Sequence, residues 1–288
     1  MAVPSTSIDG VSYVLYTGTS DPAATLIGGG RNGTLNFTKT MIPIVATATP
    51  DSFARYCPGL KLGSLSGELE FIEDGSQVCI EADRALEVGG VEMKGINSVT
   101  LNMNAEMHTI SSFDSADSTV QYLTPGVRSF SLDLSGTWYD PEYDPTIDVL
   151  LTNYEGGSAA VSDIELQFGT AMVFQMDGWV SAYSLNYDRQ SAAPMDWTAT
   201  IMVNGDLTTP NTAYVLAQAG LKAMLDAIVA DAGVTQLYFK YYWQSDATQW
   251  TGACYPSNVS ITVPVDGLVT ASFTLDSDGP ITRAQSTS

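Results

Sequence analysis

The alternation of apolar and polar residues predicts that most of the chain is β-strand. In five segments every second residue is apolar and the residues between them are mostly Ser, Thr or acidic: residues 130–134, 164–168, 197–203, 259–263 and 271–275. A period of two is typical of a strand with one buried face and one solvated face. Stretches rich in Ser, Thr, Asp and Gly separate these segments. We therefore expect a mainly β fold with a few short helices.

Three other segments place apolar residues at helical spacing. The first runs from Pro145 to Tyr154, before Gly156 ends it, and follows Asp144, a residue type that caps helix N-termini. The second covers residues 213–230 and ends before Gly233, and a weaker third covers residues 77–86. The apolar positions of the first two follow the spacing i, i+3, i+4, i+7: Ile147, Leu150, Leu151 and Tyr154, then Leu221, Met224, Leu225 and Ile228.

The sequence also contains an internal repeat. Residues 34–56 match residues 100–122 at one constant spacing, and residues 58–59 match residues 125–126 at a spacing one residue longer. The matching positions, in chain order, are Thr34-Leu35-Asn36 with Thr100-Leu101-Asn102, Ile44 with Ile110, Asp51-Ser52 with Asp117-Ser118, Tyr56 with Tyr122, and Pro58-Gly59 with Pro125-Gly126. A Leu-Ser-Gly triplet follows in both copies, at residues 65–67 and 134–136. Matches in the same order, with small gaps, indicate a duplicated module rather than chance.

The repeat divides the chain into two modules. Residues 91–207 contain a complete module, module B, with strands, a long loop, a helix and closing strands. The other, module A, is incomplete over residues 1–90, because the roughly ten residues between Leu86 and Asn97 cannot hold the missing strands. Residues 208–288 supply a helix and strands that would complete it. Module B is then inserted into module A, and exchange of strands between modules is the alternative.

Composition and charge narrow the class of protein. The 288 residues include 11 Lys or Arg and 32 Asp or Glu, a formal net charge of -21, and 44% are hydrophobic. The hydrophobic share is too high for a disordered acidic chain, and the charge disfavours binding to nucleic acid. The N-terminus lacks a signal-peptide pattern, and no apolar run is long enough for a membrane span, so we expect no membrane association. The cysteines, Cys57, Cys79 and Cys254, are expected to be core thiols.

No arrangement of residues predicts catalysis, a cofactor site or a metal site. His108 is the only histidine, which leaves no partner set for nucleophilic catalysis, and it is expected in a solvated loop. The carboxylates of residues 140–145 alternate as in a calcium loop, but Pro145 stands where such a loop needs Gly. We therefore expect a protein that assembles or binds rather than an enzyme.

One part of the chain resembles a known family. The segment Asp177-Gly178-Trp179-Val180-Ser181-Ala182-Tyr183 is followed by Trp197-Thr198-Ala199-Thr200-Ile201 and then by Gly205. This order is similar to the closing hairpin of the tail tube proteins, or major tail proteins, of bacteriophages with long non-contractile tails (siphophages). The elements from Val91 onward also follow the family's order. The resemblance implies two tail-tube-like β-sandwich or barrel modules per chain, with strands that join an inter-subunit β-barrel.

The resemblance further implies a structural virion protein. Tube proteins of this family stack as homo-oligomeric rings of six modules, so a duplicated chain would form trimeric, pseudo-hexameric rings, with plain hexameric rings as the alternative. The implied location is the virion tail, assembled in the host bacterial cytoplasm. The implied partners are further copies of the chain, a tape-measure protein, a tail terminator and passing DNA. An acidic lumen would repel DNA phosphates during ejection.

Two long loops, residues 38–59 and 108–126, are the predicted ring-stacking elements. In the family such loops reach the neighbouring ring, and here they carry apolar residues among polar ones. The candidate stacking residues are Ile44, Phe53, Tyr56, Ile110, Phe113, Asp117 and Tyr122. The rival hypothesis is a phage capsid decoration or tail-tip binding module with β-sandwich domains. In that case the aromatic segment at residues 237–243 would contact a protein or a glycan.

Overall fold

The structure, a computed structural model, describes residues 13–19, 25–26, 30–44, 55–70, 72–74, 77–78, 84–110, 122–140, 142–157, 159–168, 172–186, 194–208, 219–243 and 248–285. The strands within these ranges are β1 (Tyr13–Gly18), β2 (Thr25–Leu26), β3 (Gly30–Ile44), β4 (Arg55–Glu70), β5 (Ile72–Asp74), β6 (Gln77–Val78), β7 (Arg84–Val88), β8 (Val91–Glu92), β9 (Ile96–Ile110), β10 (Tyr122–Thr137), β11 (Val161–Phe168), β12 (Met172–Asn186), β13 (Asp196–Val203), β14 (Leu237–Trp243), β15 (Thr248–Pro264), β16 (Thr270–Ser277) and β17 (Thr282–Gln285). The helices are α1 (Pro145–Gly156) and α2 (Ala219–Val229). Neither of these two helices is long and apolar enough to cross a membrane.

One antiparallel sheet of 15 strands dominates the described residues, and it does not close into a barrel. Its main path runs through neighbouring strands in the order β2, β1, β14, β15, β9, β10, β13, β12, β11, β7, β8. Beside this path, β16 lies between β15 and β4, β3 pairs with β4, and β17 pairs with β15. The strands β5 and β6 form a separate pair. The prediction of a mainly β fold with a few short helices is confirmed.

The pairings form two strand sets with the same internal order. The first strand set is β3-β4-β16-β15-β14-β1-β2, and the second strand set is β9-β10-β13-β12-β11-β7-β8. Corresponding strands match in length, since β3 and β9 have 15 residues, β4 and β10 have 16, and β16 and β13 have 8. The pairing of β15 with β9 joins the two sets. The large sheet therefore consists of two similar sheets placed side by side.

The registers of the two sets correspond residue by residue. Leu35 lies opposite Leu65 in the β3–β4 hairpin, and Leu101 lies opposite Leu132 in the β9–β10 hairpin. Both hairpins carry their register shifts at corresponding positions. Backbone pairing alone, without reference to side-chain identity, therefore shows that β3 corresponds to β9 and that β4 corresponds to β10.

This register corrects two of the sequence matches. The Leu-Ser-Gly triplets at residues 65–67 and 134–136 are two positions out of register, although they keep the same face of the sheet. The counterpart of Tyr122 is Arg55 rather than Tyr56, because each begins its strand opposite the last residue of the preceding strand. The triplets matched at a shift of one strand period, which keeps the same face, whereas Tyr56 matched Tyr122 at a shift of one residue, which changes the face.

The helix α1 has the predicted start, end and cap. The Asp144 carboxylate accepts hydrogen bonds from the Thr146 backbone N–H at 3.1 Å, from the Thr146 hydroxyl and from the Lys94 backbone N–H at 2.9 Å. The described part of α2 lies within the second predicted helix. Because Asp144 also holds Lys94, the cap fixes α1 to the loop between β8 and β9.

The third predicted helix, residues 77–86, is wrong where the structure describes it. Gln77–Val78 forms β6, and Arg84–Val88 forms β7. Leu86 and Val88 are each 4% exposed and pair with β11. Burial of these side chains in the sheet outweighs a helical pattern that depended on two alanines and a valine.

The two predicted long loops, residues 38–59 and 108–126, are shorter than expected. The strands β3 and β9 continue past residues 38 and 108, and β4 and β10 begin before residues 59 and 126. Most described side chains at the β9–β10 end are exposed, so no period of two marked these strand ends in the sequence. His108 lies in β9 opposite Thr124, and 53% of its side chain is exposed.

One hydrophobic core underlies both strand sets. Trp197 of β13, Phe174 of β12 and Phe239 of β14 are among its largest members, and each is at most 2% exposed. The helices pack onto the same side, α1 against β12 and α2 against β15 and β1. The core therefore lies on one face of the sheet, and the central strands turn their other face away from it.

The cap of α1 gives a test of this packing. Asp144 is 0% exposed, so Asp144→Ala leaves two backbone N–H groups and a hydroxyl without their acceptor. We expect the free energy of unfolding to fall by about 2 kcal/mol, measured by urea denaturation. Asp148→Ala, at an exposed position in the first turn, should change it by less than about 1 kcal/mol. Equal effects of the two variants would contradict the capping role.

Candidate assembly surfaces

The junction between the two strand sets is an antiparallel pairing of β15 with β9. It runs from Asn258 opposite Asn104 to Pro264 opposite Ser98. Its core face is built from alternating apolar side chains, none of which is more than 5% exposed: Val259, Ile261 and Val263 of β15 with Val99, Leu101 and Met103 of β9. The core is therefore continuous across the junction.

The other face of the junction carries a line of side-chain hydrogen bonds. Ser260 Oγ donates to Asn102 Oδ1 at 2.8 Å, and Asn102 Nδ2 donates to Asp133 Oδ2 at 2.8 Å. Thr200 Oγ1 donates to the other carboxylate oxygen of Asp133 at 2.7 Å. The line crosses β15, β9, β10 and β13, so the polar face ties the first strand set to the second.

The polar face continues over the central strands and is acidic. Its positions lie in the paired segments 32–38, 64–70, 98–106, 131–135, 182–186, 196–202, 258–264 and 270–276. Most of the outward-facing side chains there are Ser, Thr or Asn. The charged ones are all carboxylates: Glu68, Glu70, Glu106, Asp133, Asp196 and Asp276. A surface with charges of one sign repels anions.

A further contact at the junction joins α2 to β10. Arg128 Nη1 donates to the carbonyl oxygens of Ala230 at 2.7 Å and Ile228 at 3.3 Å, and Arg128 Nη2 lies 3.5 Å from Asp206 Oδ1. The helix has no basic residue in its own last turn. The guanidinium therefore supplies the positive charge that stabilises a helix C-terminus, and it does so from the neighbouring strand set.

Two strands, β3 and β12, correspond to the strands of the β9–β15 junction, but in the described chain they do not pair with each other. The strand β3 is the counterpart of β9, and in the described part of the chain it pairs only with β4. The strand β12 is the counterpart of β15, because both bulge at corresponding residues, Ser181 and Ser257. The described C-terminal half of β12 pairs on one side only, with β13. We call the outer sides of β3 and of this half of β12 the free edges; their unpaired backbone groups can each accept another strand.

Side-chain exposure at the free edges differs from exposure at the junction. Phe37 of β3 is 54% exposed, whereas its counterpart Met103 in β9 is 0% exposed. Leu185 of β12 is 44% exposed, whereas its counterpart Ile261 in β15 is 0% exposed. The free edges therefore carry apolar, core-facing side chains without the strand that covers their counterparts. Such edges are sites of protein association.

Tyr183, on the free edge of β12, is the counterpart of Val259. Its ring stacks on Trp197 with ring centroids 6.0 Å apart and planes 4° from parallel. Its hydroxyl is buried and has no hydrogen-bond partner among the described residues. Burial raises the pKa of Tyr183 to about 12. A buried hydroxyl without a partner costs free energy, and a group from outside the chain could satisfy it.

Four of the predicted ring-stacking residues lie in described strands. Ile44 is in β3 and Tyr56 in β4, while Ile110 and Tyr122 lie opposite each other at the end of the β9–β10 hairpin. Ile110 is 47% exposed and Tyr122 is 36% exposed. The other three lie outside the described residues: Phe53, Phe113 and Asp117.

The sequence does not predict the free edges. Residues 34–38 and 182–186 alternate apolar and polar side chains, as the strands of the buried junction do. This alternation predicts a strand but not which strand lies beside it. Pairing between strands distant in the sequence decides which edge remains open.

The described residues include one buried free thiol and no cluster of metal-binding side chains. Cys254 is a fully buried free thiol, as predicted, and burial together with Asp276 and Asp278 raises its pKa well above its usual range. A thiol that stays protonated is a poor nucleophile. No group of three or more His, Cys, Asp or Glu side chains in the described ranges could hold a metal ion. The side chain of Cys57 and the whole of Cys79 lie outside those ranges.

Comparison with known proteins gives partial structural likenesses. No protein-family model matches the chain, and no curated protein matches it. A chain from the virion of a native gene transfer agent particle is 15% identical with a TM-score of 0.40, over 46% of this chain and 98% of that one. A chain from the tail of an empty gene transfer agent particle, of C6 symmetry, is 16% identical with a TM-score of 0.35, over 44% and 94%. A chain from the anti-feeding prophage cap, which terminates a tube, is 12% identical with a TM-score of 0.35, over 48% and 95%. TM-scores of 0.40 or less are too low to show a shared fold.

Tyr183 provides a test of the unsatisfied edge. Tyr183→Phe removes a buried hydroxyl that has no partner within the described chain, so we expect the unassembled chain to become more stable by about 1 kcal/mol. Burial raises the pKa of Tyr183 from 10 to about 12, so the unfolded chain ionises first; ionisation does not affect stability below pH 10, and the folded chain loses stability as pH rises toward 12. Tyr183→Phe should not show that alkaline loss, which urea denaturation at pH 8 and pH 11 would measure. Destabilisation by Tyr183→Phe at pH 8 would mean that the hydroxyl has a partner.

Proposed function

We propose that the chain is a structural subunit that closes into three-chain rings and that these rings stack as the tube of a phage-like tail, the conduit for DNA. One observation carries this proposal: the junction between the strand sets exists once within the chain, and its two halves are open at the two free edges. A second copy can supply β3 to the free edge of β12, as β9 lies on β15. The contact is head-to-tail, and a head-to-tail contact generates a ring when the rotation between successive copies closes.

The register within the chain gives the register between chains. Asn258 opposite Asn104 becomes Ala182 of the next copy opposite Thr38, and the following pairs are obtained in the same way. Tyr183 is then opposite Phe37, Ser184 opposite Asn36, Leu185 opposite Leu35, and Asn186 opposite Thr34. The Ser184 and Asn36 pair repeats the kind of contact that Ser260 makes with Asn102. Apolar side chains would meet on the core face and polar side chains on the opposite face.

The number of chains follows from the duplication. The resemblance to siphophage tail tube proteins implies six modules in a ring, and three chains with two strand sets each supply six. We propose that each strand set is one module and that the second, which adds β7 to residues 91–207 of module B, is inserted into module A. Residues 84–208 hold the described strands of the second set, and the residues on either side hold those of the first.

The acidic polar face supports a role as a lumen. In a ring closed by the free edges, the core and both helices lie on one side of the sheet, and the polar face lies on the other. Carboxylates such as Asp133 and Glu68 on this face would repel DNA phosphates and prevent adsorption of DNA during ejection. The tape-measure protein and tail terminator that the resemblance implies would meet the same tube.

Two aromatic side chains of the segment at residues 237–243, those of Phe239 and Tyr241, do not favour the rival function of a decoration or tail-tip module. Leu237, Phe239 and Tyr241 are at most 5% exposed, so these side chains belong to the core. A protein or glycan could not reach them without unfolding of β14.

Charge at either free edge should prevent ring closure. Phe37→Asp and Leu185→Asp each place a carboxylate where the closed ring buries an apolar side chain, which costs several kcal/mol. Both side chains are about half exposed in the single chain, and among the described residues Phe37 has a ring contact only with Trp250, with centroids 4.8 Å apart, so we expect both variants to fold. Negative-stain electron microscopy at rising salt, which screens repulsion between acidic subunits, should show rings and tubes for the wild type and none for either variant. Val91→Asp, 45% exposed on β8, is the control and should assemble.

Mixing the two edge variants tests the head-to-tail contact. Phe37→Asp chains keep an intact β12 edge and Leu185→Asp chains keep an intact β3 edge, so an equimolar mixture should form one-to-one dimers and stop there. Native mass spectrometry would count the chains. Rings from either variant alone would overturn closure through the free edges, and compact wild-type chains without a central channel under all conditions would overturn the tube function.

The hairpin ends are proposed as stacking contacts. Ile110→Ser combined with Tyr122→Ser removes two exposed apolar side chains at one hairpin end, away from the free edges. We expect normal rings but tubes much shorter than those of the wild type, with lengths measured by electron microscopy. Val91→Ser is the matched control. Tubes of wild-type length from the double variant would contradict the stacking role.

A further inference from the structure

A groove lies beside the free edge of β3 in the first strand set. At the corresponding place beside β9 in the second strand set lies the C-terminal end of α2. The groove has a volume of about 270 Å³, and Phe37, Lys61, Pro280 and Ile281 are among its lining residues. Their counterparts by strand register are Met103, Arg128, Asp206 and Leu207. At that second place Arg128 binds the C-terminal end of α2, which also contacts β9.

Lys61 is the counterpart of Arg128 on backbone evidence. Arg128 lies opposite Ala105 just before the bulge of the β9–β10 hairpin, and Lys61 lies opposite Lys39 at the same point of the β3–β4 hairpin. Both side chains are cationic and lie on the core side of the sheet, beyond the reach of the acidic face. The first strand set therefore presents a cation where the second strand set uses one to hold a helix.

The helix α1 corresponds to α2, and Tyr154 takes the position of Ile228. The last-turn carbonyls of α1 at Thr152 and Asn153 accept the N–H of Gly157, as the carbonyls of Asp226 and Ala227 in α2 accept the N–H groups that follow that helix. The carbonyls of Tyr154 and Gly156 then correspond to those of Ile228 and Ala230, to which Arg128 donates.

Among the described residues, the C-terminal end of α1 has neither the burial nor the cationic partner of the C-terminal end of α2. Tyr154 is 51% exposed, whereas its counterpart Ile228 is 0% exposed. The last turn of α1 has no basic residue, and it carries Glu155, whose charge adds to the negative end of the helix dipole. This end of α1 adjoins the free edge of β12, because Asn153 Oδ1 accepts from the Val180 N–H at 2.9 Å.

We propose that the groove on each chain takes the C-terminal end of α1 of the next chain, with Lys61 donating to the carbonyl oxygens of Tyr154 and Gly156 and pairing with Glu155. The contact rests on the proposed ring, in which β3 of one chain lies on β12 of the next. It adds a charged contact to each seam and buries Tyr154 against Phe37 and Ile281. The partner at this site is a second copy of the chain.

Isotope mixing and zero-length cross-linking test the contact in the full chain. Chains labelled with ¹⁵N and unlabelled chains are co-assembled, treated with a carbodiimide that joins amines to carboxylates, and digested for mass spectrometry. We expect cross-linked Lys61 and Glu155 peptides with one labelled and one unlabelled partner. Rings without this mixed cross-link, together with unchanged assembly of Lys61→Glu, would overturn the contact and leave the ring proposal standing. Absence of rings from the wild type would overturn both.

Charge reversal separates the contact from a role in folding. Lys61→Glu should raise the concentration needed for ring assembly about tenfold or more without lowering the melting temperature of the unassembled chain. Lys61→Arg should assemble as the wild type does, and Lys61→Glu combined with Glu155→Lys should recover most of the loss. Lys222→Ala is the matched control, because Lys222 pairs with Asp226 in its own helix at 2.6 Å. Failure of the double reversal to recover assembly would count against the pairing of Lys61 with Glu155.

Discussion

Backbone pairing across the β15–β9 junction is the interaction on which the rest of the structure depends. It merges two strand sets into one sheet, and it makes the core continuous from Val259 to Met103. Because strand pairing satisfies N–H and C=O groups only in pairs, a chain with two equivalent sets and one junction must leave one edge of each kind unpaired. In the described part of the chain, the open edges at β3 and β12 therefore follow from two similar strand sets that are joined by one pairing.

The two strand sets have the same register but different burial. Met103 and Ile261 are covered, whereas Phe37 and Leu185 at corresponding positions are exposed. Helix ends follow the same division, since Arg128 reaches the end of α2 and Tyr154 at the end of α1 stays exposed. These differences all occur at positions that a neighbouring strand set would cover. The single repeated contact that we propose between chains would account for them together.

Charge is distributed by face in a way that fits this arrangement. The polar face of the central strands carries carboxylates, with Asp133 fixed between Asn102 and Thr200. The cations Arg128 and Lys61 lie on the core side, where a helix end can use them. On β4, β9 and β10 the carboxylates therefore lie on one side of the sheet and the cations Lys61 and Arg128 on the other.

Much of the local structure was determined by the sequence alone. The period of two located the central strands, Asp144 and Gly156 bounded α1, and the nearly constant offset between matching residues revealed the duplication, since each of these patterns can be read along the chain without knowledge of its pairing. Only the tertiary structure decided that residues 84–88 are a strand, that the hairpins reach Ile44 and Ile110, and which edges stay open. Strand pairing joins segments that are far apart in the sequence, as Asn104 and Asn258 are, and no local pattern records which partner an edge will find.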